Sequence, residues 1–371
     1  MNILFPIPCF YPHSGGGPSL TVYWLSKALV EKGNNVNVVT TDKGINARFP
    51  SNRWNIVDGI RVKYCSYSIF KFPIRMIFSS IKEIKRNDIV QLSSACSLAS
   101  LFVALIAIYF NKKIIWSPRG EFSSAVIGDN WLKTIYFKML GLLFARNVLF
   151  HSTSEKETLE IRRIMGNCNV VTLPNYMEIP PKHDGNVEKM LLYVGRINPI
   201  KAIDKLIEAL HNSSVFKNSD YVLKIAGNTS SPEVLDYYNL LKKQIKDYDF
   251  QNRVLFLGPV YGDEKYELYS KAYFSFLVSE SENFGNVVIE SLSQGTPAVS
   301  SLGTPWQILP DKQIGYHVSN DPTELSKVID EILQMPIEEY SEMRKRAYKI
   351  CNEVFSIEKN VDKWLDLYVN Y

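Results

Sequence analysis

The chain has 371 residues, enough for two domains of ordinary size, and its 46% hydrophobic and 12% aromatic content excludes a disordered or fibrous polymer. Its net charge of +4 conceals a split: residues 1–186 carry 22 Lys/Arg against 12 Asp/Glu, and residues 187–371 carry 20 against 26. The basic half suits an anionic partner; it holds no helix-turn-helix, RNA-binding or zinc module, so an anionic membrane surface is expected there and nucleic acid is not. Five scattered cysteines (Cys9, Cys65, Cys96, Cys168, Cys351) with no CxxC pair exclude a disulfide framework and a zinc site. They fit free thiols in a reducing, cytoplasmic setting.

Short strand-like runs alternate with longer helical ones, the signature of a parallel sheet flanked by helices. The opening MNILFPIP has no basic n-region or cleavage site and reads as a first strand, Ile3–Pro8, not a signal peptide. Gly15-Gly16-Gly17 follows, with Pro18 at a helix start and an amphipathic helix to about Lys32. Three glycines let backbone approach a phosphate or sugar closely. As a dinucleotide fingerprint the loop fits only in part. Gly15 and Gly17 take its first two positions, Leu20 the third, and Asp42 would be the ribose acid of that oxidoreductase reading.

Further strands are expected at Val36–Thr40, Ile60–Tyr64, Ile89–Leu92, Ile114–Ser117, Val148–His151 and Val170–Leu173. The apolar run Leu98–Phe110 is too short to span a bilayer and reads as a buried helix. Residues 70–86 and 131–146 interleave aromatic and aliphatic side chains with Lys and Arg, which suits helices lying on an anionic membrane. The plain alternative is packing helices whose lysine stems run along apolar surface. Arg119, in Ser117-Pro118-Arg119-Gly120, falls at the C-terminal end of a strand, where open α/β sheets bind ligands; the alternative is a surface ion pair with Glu121. His151 reads as structural, and Ser154 with Glu157 forms a candidate capping box.

The first domain is expected over residues 1–180 and the second over 187–350, with 180–185 as linker and 351–371 as a terminal helix. The second domain opens with the strand Leu191–Val194, then Gly195-Arg196 and, shortly after, Lys201. Strands are expected at Val222–Ala226, Val254–Leu257, Tyr273–Val278 and Ala298–Ser300, with helices near 322–334, 338–350 and 357–369. After Tyr273–Val278 come Glu282, Phe284-Gly285-Asn286, the apolar Val287–Ile289 and Glu290. A helix is expected from Gly285 or Asn286 to about Gln294, stopped by Gly295 and Pro297. Its start offers unpaired amides and the positive end of the dipole, which suits a diphosphate. Glu282 precedes the helix and Glu290 lies more than a turn inside it, so the two carboxylates reach different parts of a ligand. Read singly, each would be a solvated surface charge.

The string from Glu282 to Glu290 resembles the Glu-x7-Glu signature of retaining glycosyltransferases, in particular glycosyltransferase family 4. The likeness extends to Gly295-Thr296-Pro297, to Gly195-Arg196 followed by Lys201, and to the loop at Gly15–Gly17. Ser117-Pro118-Arg119-Gly120 resembles a loop of the members that build bacterial surface polysaccharides, such as O-antigen and capsule, where other members carry a His. Two further departures are Tyr176, where the family has the glycine of a Pro-Asn-Gly hinge, and Ala202, where glycine commonly follows the lysine.

The resemblance implies an α/β protein of two Rossmann-like domains facing across a cleft, the GT-B fold, with the last helix crossing back to the first domain. It implies retaining, metal-independent, hexosyltransferase-like chemistry without a cofactor, from a UDP- or GDP-linked sugar as donor substrate. The acceptor would be a glycan on polyprenyl diphosphate, met at the inner face of the cell membrane by a peripheral enzyme. Glu282 would hold sugar hydroxyls and Glu290 the ribose. Arg196, Lys201 and the amides of Phe284, Gly285, Asn286 and Val287 would hold the diphosphate, whose charge grows as it departs and needs fixed cations. Gly195 and Gly227 would line the nucleoside pocket, and Gly15, Gly16 and Gly17 would lie near donor and acceptor. Arg119 would touch donor phosphate or acceptor. Asp247-Tyr248-Asp249 has the DxD form of metal-dependent glycosyltransferases, but it sits in a lysine-rich helix end and no metal site is expected there. The alternatives are a nucleotide-sugar epimerase or hydrolase of the same fold, and a non-catalytic glycosyltransferase-like binding subunit.

Overall fold

The computed structural model describes all residues except 13–15, 46–48, 68–72 and 129. The chain falls into two compact units, one of Met1–Glu178 with Ile357–Tyr371 and one of Ile179–Ser356. The first unit is built on β1 (Asn2–Pro6), β2 (Asn35–Thr41), β3 (Trp54–Val57), β4 (Ile60–Cys65), β5 (Ile89–Ser93), β6 (Lys113–Ser117), β7 (Leu149–Ser152) and β8 (Asn169–Thr172). Their order is β3-β4-β2-β1-β5-β6-β7-β8. All neighbours run parallel except β3 with β4, an antiparallel edge hairpin. The central strands are apolar along their length because both faces are covered: Leu4, Val38, Val90, Ile114, Trp116 and Phe150 are all buried.

Right-handed crossovers decide which face each helix takes. Ile74–Ile84, Leu98–Tyr109, Trp131–Phe144 and Glu155–Met165 carry the chain stepwise from β4 to β8, and so share one face. Gly17–Glu31 steps the other way and lies on the opposite face, where Ile357–Asn370 packs beside it. That last helix is fastened to the first unit. Trp364 lies against His151 (ring centroids 4.7 Å apart), the Ile357 amide donates to the Met177 carbonyl at 2.9 Å, and Asp362 pairs with Lys32 at 2.8 Å. Leu98–Tyr109 is not the buried helix that its composition suggests. Ala99, Val103, Ala104 and Ala107 face the sheet, but Leu98, Phe102, Leu105 and Tyr109 are exposed. A helix in a single outer layer has only one face against the sheet.

The second unit holds β9 (Met190–Val194), β10 (Val222–Ala226), β11 (Val254–Gly258), β12 (Phe274–Leu277), β13 (Ala298–Ser301) and β14 (Gly315–Val318), in the order β11-β10-β9-β12-β13-β14 and all parallel. Leu191, Tyr193, Leu223, Ile225, Phe274, Phe276 and Val299 fill its core with helix residues such as Ile207 and Ile329. In both sheets the winding reverses beside the first strand, between β1 and β5 and between β9 and β12. Loops at the C-terminal ends of those strands diverge there, and such switch points are where open α/β sheets take ligands.

Candidate functional site

In the second unit the two loops flanking the switch point are tied to each other. After β9, Asn198 caps a short turn at Pro199–Lys201, its side chain accepting from the Ile200 amide at 3.1 Å. After β12, the Glu280 amide donates to the Ile200 carbonyl at 2.8 Å and the Glu282 amide to the Gly303 carbonyl at 3.1 Å. Across this seam the Lys201 ammonium pairs with the Glu282 carboxylate, both mostly shielded from water. Lys205 pairs with Glu280 beside them at 2.5 Å. Arg196 projects into solvent, and its guanidinium meets no acid among the described residues. Burial, reinforced by Glu282, holds Tyr193 well above the usual phenol range, so it stays neutral and donates to the Arg196 carbonyl at 2.9 Å. Ala202, the family's glycine position, adopts φ +51°. That left-handed conformation suits glycine and strains alanine.

The following segment is a short helix, Asn286–Leu292, ending two residues before the expected Gln294. Gly285 introduces it at φ +84°, and a Cβ there would meet Leu277 at 2.4 Å, so only glycine fits. The Phe284 carbonyl accepts from the Trp306 indole, and both rings pack on Phe355, which fixes the loop from behind. Glu290 is buried and pairs with Lys265 at 2.7 Å, beside the buried phenol of Tyr269. Val287 is half-buried on the first turn. The loops after β9, β10 and β11 stack closely. The Gly195 amide donates to Ala226 and the Gly227 amide to Gly258, both at 2.9 Å, and a Cβ on Gly227 would sit 2.2 Å from the Gly195 carbonyl oxygen. Asp247 and Asp249 lie exposed at the end of Pro232–Asp247, and no group of three His, Cys, Asp or Glu able to hold a metal occurs among the described residues.

In the first unit Gly16 and Gly17 open the helix Gly17–Glu31, with open space around Gly16; Gly15 lies outside the described residues. Arg119 follows β6 in a left-handed conformation, φ +59°, and donates to the Asn175 side chain at 3.0 Å. Desolvation pulls its guanidinium below the ordinary value and Glu157 opposes this. The surface pair with Glu121 does not form. Glu121 instead accepts from the Ser94 hydroxyl at 2.6 Å and from the amides of Ala95 and Cys96, closing the loop after β5. The capping box is half made. Ser154 accepts from the Glu157 amide at 3.2 Å, but the Glu157 carboxylate accepts from the amides of Thr153 and Gly120, both at 2.7 Å, and so anchors the Arg119 loop. Asp42 accepts from Ser51 and the Tyr67 amide, a structural role. His151 is buried, accepting from the Ser117 hydroxyl at Nδ1 and donating from Nε2 to the Leu173 carbonyl, each at 2.9 Å.

Lys265, Glu157 and Trp306 are the contributors that sequence reasoning missed. Lys265 stands in the charged run Asp263-Glu264-Lys265-Tyr266-Glu267, where nothing marks one lysine as inward. Glu157 was visible as a cap, and its distance from Gly120 in sequence concealed the second role.

Residues 15–178 match the family profile described as Glycosyltransferase Family 4, and residues 177–350 that described as Glycosyl transferases group 1. The chain is 23% identical over 391 aligned residues to N-acetyl-alpha-D-glucosaminyl L-malate synthase of Bacillus anthracis, covering 99% of this chain and 97% of that one. It is 29% identical over 171 residues to alpha-monoglucosyldiacylglycerol synthase of Streptococcus pneumoniae, spanning 45% of this chain and 37% of the relative. The crystal structure of HepE from Anabaena in complex with UDP and glucose superposes with a TM-score of 0.76 at 16% identity, covering both chains fully. At that identity the likeness shows the fold, a pair of Rossmann-like domains of the GT-B type.

Proposed function

The chain belongs to glycosyltransferase family 4, and on that premise we propose that it moves a hexose from a UDP- or GDP-linked donor with retention of configuration and without a metal. The observation that carries this reading is the Lys201–Glu282 pair across the switch point, with exposed Arg196 on the same loop. A diphosphate seated there draws Lys201 to its oxygens and frees Glu282 to accept from sugar hydroxyls. Arg196, Lys201 and the amides of Phe284, Gly285, Asn286 and Val287 neutralise the charge that builds as the nucleoside diphosphate leaves. Glu290, held by Lys265, accepts from the ribose, and Gly195 and Gly227 leave room for the nucleoside. Arg119, with the glycine loop at Gly15–Gly17, serves the donor phosphate or the acceptor. Among the described residues no side chain in the site stands as a nucleophile, and in this reading acceptor and leaving group share one face and the departing diphosphate takes the acceptor proton.

The acceptor in this reading is a glycan on polyprenyl diphosphate, in the synthesis of a bacterial surface polysaccharide, and the enzyme works on the cytoplasmic face of an anionic membrane. The basic charge of residues 1–186 supports that placement, and no helix among the described residues is long and apolar enough to cross a bilayer. An epimerase, a hydrolase and a non-catalytic subunit are separated by one experiment. A thermal-shift screen over nucleotide sugars identifies the donor, and proton NMR with a membrane extract as acceptor source follows its anomeric signal. The reading requires a product whose linkage keeps the donor's anomeric configuration. Inversion, free sugar alone or an epimerised donor would each overturn it.

A further inference from the structure

Thirteen of the 26 exposed large apolar side chains among the described residues lie between Ile74 and Leu143. All but Val126 belong to the helical layer that crossover handedness sets on one face of the first unit's sheet. On Trp131–Phe144 the outward positions are Trp131, Leu132, Ile135, Lys138, Met139, Leu142 and Leu143, with Leu142 89% exposed. On Leu98–Tyr109 they are Leu98, Phe102, Leu105 and Tyr109, and Ile74 and Phe78 continue the surface on the adjoining helix. A helix apolar on its inner and its outer face is built to be covered on both. At roughly 150 Å² for a large apolar side chain the exposed area is on the order of 1,000 Å², well above the few hundred usual for a monomer.

Charge identifies what covers it. The three helices contain one acid, Glu83, which is buried between Arg61 and Arg86. The exposed charges at the margin are mainly cations, Lys82, Lys85, Arg86, Lys138 and Arg146, against the exposed acids Asp88, just past the first helix, and Glu155, on the fourth helix of the layer. Lys85 lies over the Phe110 ring at 4.7 Å and Lys112 reaches the Lys85 carbonyl, so aromatic and basic groups adjoin at the helix ends. An apolar field whose rim is predominantly cationic complements the acyl chains and headgroups of an anionic leaflet.

We propose that this layer inserts into one leaflet of an anionic bilayer, with Leu98–Tyr109 and Trp131–Phe144 entering the acyl boundary and the cations seating headgroup phosphates. This rests on the membrane placement proposed above and adds its mode: apolar insertion, with charge setting the choice of lipid.

Flotation with phosphatidylglycerol-containing and pure phosphatidylcholine vesicles, in dilute buffer and in high salt, tests it on the full chain. Anionic vesicles should capture most of the protein, and a substantial part should remain bound in high salt, because insertion is not screened. Brominated acyl chains should quench an emission component that Trp131→Phe lacks. Phe102→Ser with Leu142→Ser should reduce capture at least tenfold while nucleotide binding, measured by calorimetry, is unchanged; that retained binding shows the variant is folded. Conversely, Arg196→Ala should lose nucleotide binding and still float, which separates failure of the membrane mode from failure of the transferase reading. Complete release by salt without quenching would reduce the contact to surface charge and overturn the proposal. A concentration-dependent dimer that dissociates in Phe102→Ser/Leu142→Ser would assign the face to a second copy, with the same consequence.

Discussion

His151 offers a prediction whose size follows from its surroundings. The imidazole is sealed beneath Trp364 with both nitrogens engaged, and Arg119 stands nearby. Burial, then the Arg119 charge, drives its pKa from 6.5 down to about 3, against a smaller opposing effect of the Leu173 carbonyl. The unfolded chain therefore takes up a proton below pH 6.5 that the folded chain refuses until pH 3. Stability from this group is complete above the unfolded value and drains away as pH falls. Linkage puts the loss at about 2 kcal/mol by pH 5 and about 4 kcal/mol near pH 3. Urea unfolding of the wild type and of His151→Gln, followed from pH 7.5 to pH 4.5, isolates the effect from the carboxylates, which titrate in both. His151→Gln should be less stable at neutral pH, and its deficit should shrink by about 2 kcal/mol at pH 5. Two parallel curves would show that the native imidazole accepts its proton freely, and the account of a sealed histidine would fail.

Arg196→Ala and Lys201→Ala should each weaken nucleoside diphosphate binding by roughly 1.5–3 kcal/mol, the scale of a charge-assisted hydrogen bond. Lys201→Ala should lie at the upper end because it leaves Glu282 unpaired beside the anion; unchanged calorimetric affinity in both removes them from the site. Turnover should survive EDTA, and complete loss restored by manganese or magnesium would move attention to Asp247 and Asp249. Ala202→Gly should raise the urea midpoint by about 1 kcal/mol of stability, since it relieves a left-handed alanine; a fall would mean that the buried methyl outweighs the backbone strain.

The parallel core was legible because strands covered on both faces write themselves as short apolar runs between turn residues. Two strands escaped. Trp54–Val57 lies on a sheet edge with Val57 its one buried residue, so it writes no apolar run, and only Asp58-Gly59, both at positive φ, announced its hairpin. Gly315–Val318 is four residues, mostly half-exposed. In the site, the spacing of Glu282 and Glu290 and the loop of Arg196 and Lys201 stand out through local pattern. What one sequence does not display is pairing across distance: that Lys201 meets Glu282, that Lys265 meets Glu290, and that Glu121 turns to backbone amides instead of Arg119. Those choices depend on which strands lie side by side. Similarly, Leu98–Phe110 has a composition that fits a buried helix equally well, and only its place in an outer layer exposes half of it.

The first unit is discontinuous in the chain, and this sets a timetable for its assembly. Its sheet is finished when β8 has left the ribosome, yet the face bearing His151 and Gln91 stays uncovered until Trp364 and Tyr368 arrive, after the whole second unit. A nascent chain therefore carries an apolar scar on its first half throughout synthesis of its second, and loss of Trp364 and Tyr368 would leave that scar permanent. Residues 357–371 serve as the closing stitch of a unit begun before the other was made.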